Sequence, residues 1–190
     1  MSNAIEIEAK ALVGKEEYEK LVRLFPTCPR YLQTNYYIDT DNRDLAKSGI
    51  ALRIRERAGA LELTLKTPLS QGKLEKSVPI TFNDFAAFRD FGTFPKNDLR
   101  RFLIMLDFDV EKLKILTSLS TERLDFDYEG GKISIDKNTY SGQVDYEVEC
   151  EFNNLAGAEK ILHEFLAKHE IPFKESQITK VQRAMKAIGK

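Results

Sequence analysis

The stretch Ile5-Glu6-Ile7-Glu8-Ala9-Lys10-Ala11 alternates apolar and charged residues with a period of two. Successive side chains of a β-strand point to opposite faces, so Glu6, Glu8 and Lys10 share one face and the apolar residues the other. A single strand of this kind is an ordinary half-buried strand with a solvated face. The repetition along the chain gives it weight. Arg53, Arg55 and Arg57 alternate with Leu52 and Ile54, and Glu62, Thr64 and Lys66 with Leu61, Leu63 and Leu65. Arg123, Asp125 and Asp127 alternate with Leu124, Phe126 and Tyr128, and Lys132, Ser134 and Asp136 with Ile133 and Ile135. Asp145, Glu147, Glu149 and Glu151 alternate with Tyr146, Val148, Cys150 and Phe152.

Further elements fall between these strands. The spacing of Tyr18, Leu21, Val22 and Phe25 predicts an amphipathic helix over 15–25, ended by Pro26 and Pro29. A strand runs over 33–40, and Asp41-Asn42 opens a turn or short helix that closes at Gly49. Lys73, Glu75 and Ser77 alternate less cleanly with Leu74, Lys76 and Val78, and Pro79 suggests an edge or a terminus there. Lys73 and Lys76 read as solvated. Asn83-Asp84 is placed to cap a helix packed through Phe85, Phe88 and Phe91, with further helices over part of 97–106 and near 110–115. Strand pattern returns over 116–128, with hairpin signals at Glu129-Gly130-Gly131 and Ser141-Gly142. The period then switches to a helical stripe from Leu155 to Leu166, and a last helix is expected over 176–188.

A chain of 190 residues is long enough for one domain, 1–190, with its own core. Its 29 Lys and Arg against 30 Asp and Glu leave a net charge of -1. That excludes a global electrostatic attraction to nucleic acid or to acidic membranes, so any role for the charges is local. Cys28 and Cys150 form neither a metal-spaced pair nor a disulfide framework. No signal pattern and no apolar run near the roughly 20 residues of a membrane span is present. The expectation is a cytoplasmic protein. Ser2-Asn3-Ala4 gives no functional reading.

About eight strands with short turns make a mainly antiparallel sheet, on whose apolar faces the helices lie. Two arrangements stand: an open sheet with its charged face in water, or a closed barrel with that face inside. Two features favour closure. The signs are sorted, acids on the first and last strands and arginines on the third, whereas solubility alone intersperses them. Arginine also offers a planar fork suited to phosphate oxygens. A closed, charged interior cannot stay dry and must hold water, ions or a charged ligand. Carboxylates beside cations suit a divalent metal with a polyphosphate.

The Glu6-x-Glu8-x-Lys10 strand resembles the hallmark of the CYTH superfamily, the triphosphate tunnel metalloenzymes, which include class IV adenylate cyclases and thiamine triphosphatases. The resemblance continues in family order through 36–40 (Tyr-Tyr-Ile-Asp-Thr), 52–55 (Leu-Arg-Ile-Arg), 63–68 (Leu-Thr-Leu-Lys-Thr-Pro), Glu75, Arg123, Asp136, 146–151 (Tyr-Glu-Val-Glu-Cys-Glu) and 179–183 (Thr-Lys-Val-Gln-Arg). It spans nearly the whole chain and looks most like the stand-alone proteins of Gram-positive bacteria. The family's last motif usually opens with Ser, where this chain has Thr179.

The resemblance implies an α+β fold: a closed eight-stranded antiparallel β-barrel, the triphosphate tunnel, polar inside with helices packed outside. It implies Mg²⁺ or Mn²⁺ as cofactor and a small-molecule triphosphate as partner; a homodimer is compatible with it. Carried over residue by residue, Glu6 and Glu8 sit at the metal end with Glu147, Glu149 and Asp136. Lys10, Arg53, Arg55, Lys66, Arg123, Lys180 and, more weakly, Arg183 hold phosphate oxygens. Glu6, Glu8, Lys10, Arg53 and Arg55 form the catalytic core, and Glu75 orients cations or contacts metal. Arg57 and Glu151 continue the alternation toward the tunnel mouths. The plainer reading of Lys180 and Arg183 is surface charge on a helix. His163 and His169 are expected at the surface, and no Ser-His or Cys-His pair supports covalent catalysis.

Three functions follow. The first is metal-dependent hydrolysis of tripolyphosphate or of an organic triphosphate such as thiamine triphosphate or a nucleotide. The second is a class IV-type adenylate cyclase, for which no adenine-reading element is visible in the sequence. The third is a non-catalytic polyphosphate- or nucleotide-binding module, against which the carboxylates argue, because an anion binder gains nothing from them.

Overall fold

The computed structural model describes residues 2–70, 72–174, 176 and 178–189. Its strands are β1 (Ser2–Glu6), β2 (Glu8–Val13), β3 (Arg30–Asp39), β4 (Ala51–Arg57), β5 (Ala60–Pro68), β6 (Lys73–Ile80), β7 (Lys114–Tyr128), β8 (Gly131–Tyr140) and β9 (Gln143–Glu151). They form one nine-stranded antiparallel sheet in the order β1-β6-β5-β4-β3-β7-β8-β9-β2. This corrects the expected closed eight-stranded barrel. The sheet has nine strands, and its two edge strands are not paired with each other.

The reason lies at Ile7. The stretch read as one strand changes partner there: Glu6 registers with Lys73 of β6, and Glu8 registers with Glu151 of β9. The Ile7 carbonyl accepts the Phe152 N–H at 3.1 Å. Gly72, at φ +75°, lies against the same point, and a Cβ there would collide with the Glu6 carbonyl oxygen. Consecutive residues thus supply both edges of the ladder. The sheet curls, and side chains from all nine strands line one cavity on its concave face.

The apolar faces of the strands turn outward, onto helices. Over one half, Phe85 and Phe88 of α3 (Phe82–Phe91) and Leu99 and Leu103 of α4 (Asp98–Met105) pack on Leu52, Ile54, Leu63 and Leu65. Two helices precede these in the chain, α1 (Lys15–Leu24) and α2 (Asp44–Lys47). Over the other half, Leu21 of α1 and Leu162, Phe165 and Leu166 of α5 (Leu155–Lys168) pack on Ile133, Ile135 and Val148. Burying each such side chain contributes about 1.5–3 kcal/mol, which makes these faces the main stabilising element. The last helix, α6 (Lys180–Ala187), is different. Its Ala184 and Met185 pack on Tyr37, Leu119 and Tyr140. Those residues share strand faces with Asn35, Arg123 and Ser134, so α6 lies on the concave side.

Several local expectations change. Thr81, not Asn83-Asp84, caps α3, through a reciprocal capping box with Asp84. Phe91 is 83% exposed and takes no part in packing. Strand β6 is covered on both sides, by β1 and β5, so Pro79 marks its end and not an edge. A short 3-10 turn over Val110–Lys112 leads directly into β7. The last helix begins at Lys180, and part of the expected span (Gln177) lies outside the described residues. Among the described residues no helix is long and apolar enough to cross a membrane.

Candidate active site

The concave face encloses a cavity of about 260 Å³. Strand β4 points Arg53, Arg55 and Arg57 into it because its other face is fixed in the core by Leu52 and Ile54. The same alternation aims Glu6, Glu8 and Lys10 from β1 and β2, Lys66 from β5, Glu75 from β6, Arg123 from β7 and Glu149 from β9. Lys180 enters from α6. Among the described residues, nine cationic and five anionic side chains line this space, an excess of four positive charges in a chain whose net charge is -1.

The charges are arranged in two kinds. On the β7–β9 wall they are mutually paired. Arg123 grips Asp136 at 2.7 and 2.6 Å and reaches Glu149 at 2.6 Å. Lys180 lies 2.7 Å from Asp136, 3.1 Å from Glu147 and 2.5 Å from Glu149. Burial disfavours the charge on Lys180, but Asp136, Glu149 and Glu147 outweigh it and hold its pKa well above the usual lysine value. Burial likewise opposes ionisation of Glu149, and Lys180 and Arg123 overcome it, driving its pKa well below the carboxylate range. Lys10, 3.2 Å from Glu8, is raised against its burial by Glu8, Glu149 and Glu147.

On the β4–β6 wall cations outnumber their partners. Lys66 bonds Glu6 at 2.5 Å and also meets Glu75, which lies 3.7 Å from Arg53. The Arg53 Nε is buried without an acceptor, and Arg55 donates to the neutral Asn35 side chain at 3.0 Å. Among the described residues Arg55, Arg57 and Lys73 make no ion pair. Burial, then Arg53 and Arg123, pull the Arg55 pKa down to about 10. Burial, then Lys10 and Lys66, lower that of Lys73. Half-buried cations crowded without counter-charges are the electrostatic mark of an anion site.

Most residues singled out in the sequence come together here: Glu6, Glu8, Lys10, Arg53, Arg55, Lys66, Glu75, Arg123, Glu149 and Lys180 all line the cavity. Arg57 and Glu151 line it as exposed residues at its rim. Asp136, Glu147 and Arg183 do not line it. Asp136 and Glu147 are fully buried behind Arg123 and Lys180. Arg183 forks onto Asp145 at 2.7 Å and Glu147 at 2.8 Å, and donates to the Ile178 carbonyl at 2.9 Å. It braces α6 against β9 and is not surface charge. Asp39 accepts the N–H groups of Thr40, Leu45 and Ala46, a strand-to-helix junction away from the cavity. His163 stacks on Phe173 and His169 packs edge-on to Phe165, both away from the site. Lys73, read as solvated, lines the cavity. Its parity with Glu75 signalled this, but Lys76 on the opposite face obscured it.

The donors suit a hard divalent cation, since carboxylate oxygens line the wall and no histidine or cysteine does. Among the described residues no three His, Cys, Asp or Glu side chains are grouped to hold a metal by themselves. A cation bound by Glu6 or Glu8 would share its shell with phosphate oxygens, as Mg²⁺ commonly does.

The CYTH domain model matches residues 4–185. The chain belongs to the CYTH family. This CYTH chain is 31% identical over 180 residues to a Bacillus subtilis protein named "Putative triphosphatase YjbK", covering 93% of each. It is similar to the crystal structure of a "putative adenylate cyclase" from Bacillus halodurans, with 32% identity, a TM-score of 0.88 and coverage of 96% of this chain and 98% of that one. A Hippeastrum protein described as a "putative adenylyl cyclase" with a dominant triphosphatase activity shares the fold at 23% identity, with a TM-score of 0.78 and 96% of each chain covered. The activities named for these similar proteins are triphosphatase and adenylate cyclase.

Proposed function

We propose that this chain is a divalent-metal-dependent triphosphatase that hydrolyses an inorganic or organic triphosphate in the curled-sheet cavity. The observation that carries the reading is the pair Arg55 and Lys73, which face the charged cavity and make no ion pair among the described residues. The triphosphatase name of the Bacillus subtilis relative supports the same reading.

Arg53 and Arg55 offer planar forks to the phosphate oxygens, and Lys10 and Lys66 offer point charges from the adjoining walls. Arg123 and Lys180 are held in place by Asp136, Glu147 and Glu149, so they meet the substrate without reorganising. Glu6 and Glu8 would hold Mg²⁺ or Mn²⁺, which neutralises charge on the transferring phosphoryl group. A carboxylate of this pair accepts the proton of the attacking water. No side-chain nucleophile is required.

The test is product analysis with tripolyphosphate, ATP and thiamine triphosphate in the presence of Mg²⁺ or Mn²⁺. Orthophosphate release supports the reading. Pyrophosphate with a cyclic nucleotide from ATP assigns cyclisation instead. Tight binding with no product assigns a binding module.

A further inference from the structure

The rim of the cavity holds a planar feature that the phosphate-binding set does not use. The Arg57 guanidinium lies 3.7 Å above the centroid of the Tyr31 ring. The Tyr31 hydroxyl donates to Asp125 at 2.8 Å, and Lys132 holds the same carboxylate at 3.1 Å. The ring is therefore anchored at its far end, with the guanidinium carbon seated over its face. Arg57 is exposed, and both residues line the cavity.

Its distance from the phosphate set matters. Arg53, Arg55 and Arg57 follow one another on one face of β4, at about 7 Å per pair of residues, so the row is about 14 Å long. A triphosphate is shorter than that row. One seated on Arg53 and Arg55 with its α-phosphate toward the rim carries its organic end to Arg57. We infer that the Arg57–Tyr31 pair is a stacking shelf for a neutral nucleobase, so that the substrate is a nucleoside triphosphate. Guanidinium planes stack on uncharged heteroaromatic rings. The cationic thiazolium ring of a thiamine triphosphate would meet the Arg57 charge and be repelled. Inorganic tripolyphosphate has nothing to lay on the shelf.

The inference rests on the reading of the cavity as a triphosphate site, and its test separates the two. Arg57→Lys keeps the charge and removes the plane, while Tyr31→Leu removes the platform. The readout is kcat/KM for ATP divided by kcat/KM for tripolyphosphate. The shelf predicts that this ratio falls about tenfold in each variant. An unchanged ratio in Arg57→Lys overturns it. If the wild-type protein hydrolyses neither compound, the hydrolase reading fails. The same ratio, taken from calorimetric Kd values with Mg²⁺, then decides the shelf alone: a fall supports it and no change overturns it.

Discussion

Lys180 on α6 and Glu149 on β9 stand 31 positions apart and meet at 2.5 Å. The contact ties the last helix to the wall that also carries Arg123. Removing Lys180 leaves Asp136, Glu147 and Glu149 buried with fewer cations. Uncompensated buried charge costs about 3–5 kcal/mol, so Lys180→Met is expected to lose that much stability in urea unfolding. Adding Glu149→Gln is expected to restore part of it. A neutral Lys180→Met would refute the pairing.

The same contact sets a pH dependence. The folded-state pKa of Glu149 is depressed below the ordinary carboxylate value near 4.5. Its contribution is therefore present above that value and is lost as pH falls from there toward the folded pKa. Wild-type stability is expected to be flat near neutrality and to drop below about pH 4.5. Glu149→Gln is expected to show a shallower acid limb. Parallel limbs in denaturant midpoints measured from pH 3 to 7 would contradict this.

Crowded cations at Arg53, Arg55 and Lys73 predict that polyanions stabilise the fold. Tripolyphosphate at about a hundred times its Kd is expected to add about 2.7 kcal/mol, visible as a rise in Tm. Arg53→Met/Arg55→Met is expected to lose most of that rise. An equal shift in the double variant would place the anion elsewhere.

Arg55 and Arg183 are expected to fail in different ways. Arg55 faces the cavity, and its loss should raise KM for tripolyphosphate about tenfold or more, the worth of a charged hydrogen bond. Arg183 lies off the cavity and braces α6 through Asp145 and Glu147. Arg183→Met is expected to lower Tm first. A KM effect with unchanged Tm would return Arg183 to the phosphate set.

Strand alternation was legible because the core enforces it: Ile54, Leu63 and Leu65 are fully buried, so Arg53, Arg55 and Lys66 must face the other way. The break at Ile7 was not legible. Glu6 and Glu8 keep the same parity whether or not the strand changes partner, and β6 and β9 are distant in sequence. The place of α6 was hidden for a related reason. A short helix carrying Lys180 and Arg183 reads as a surface element until Tyr37, Leu119 and Tyr140 are seen to receive its apolar side. Depth was equally invisible: Asp136 and Glu149 follow the same alternation, yet one lies behind the wall and the other on it. The Arg57–Tyr31 stack joins residues of two strands and has no local signature.

One cavity is proposed both to bind a triphosphate through β4 and to hydrolyse it through Glu6 and Glu8. Orthophosphate release from tripolyphosphate and ATP, with Mg²⁺ or Mn²⁺, tests it most directly when wild type and Glu8→Gln are run side by side. The expected result is metal-dependent release in the wild type and a fall in kcat of about a hundredfold in Glu8→Gln, from loss of a metal-holding carboxylate. Equal, metal-independent release by both proteins would contradict it.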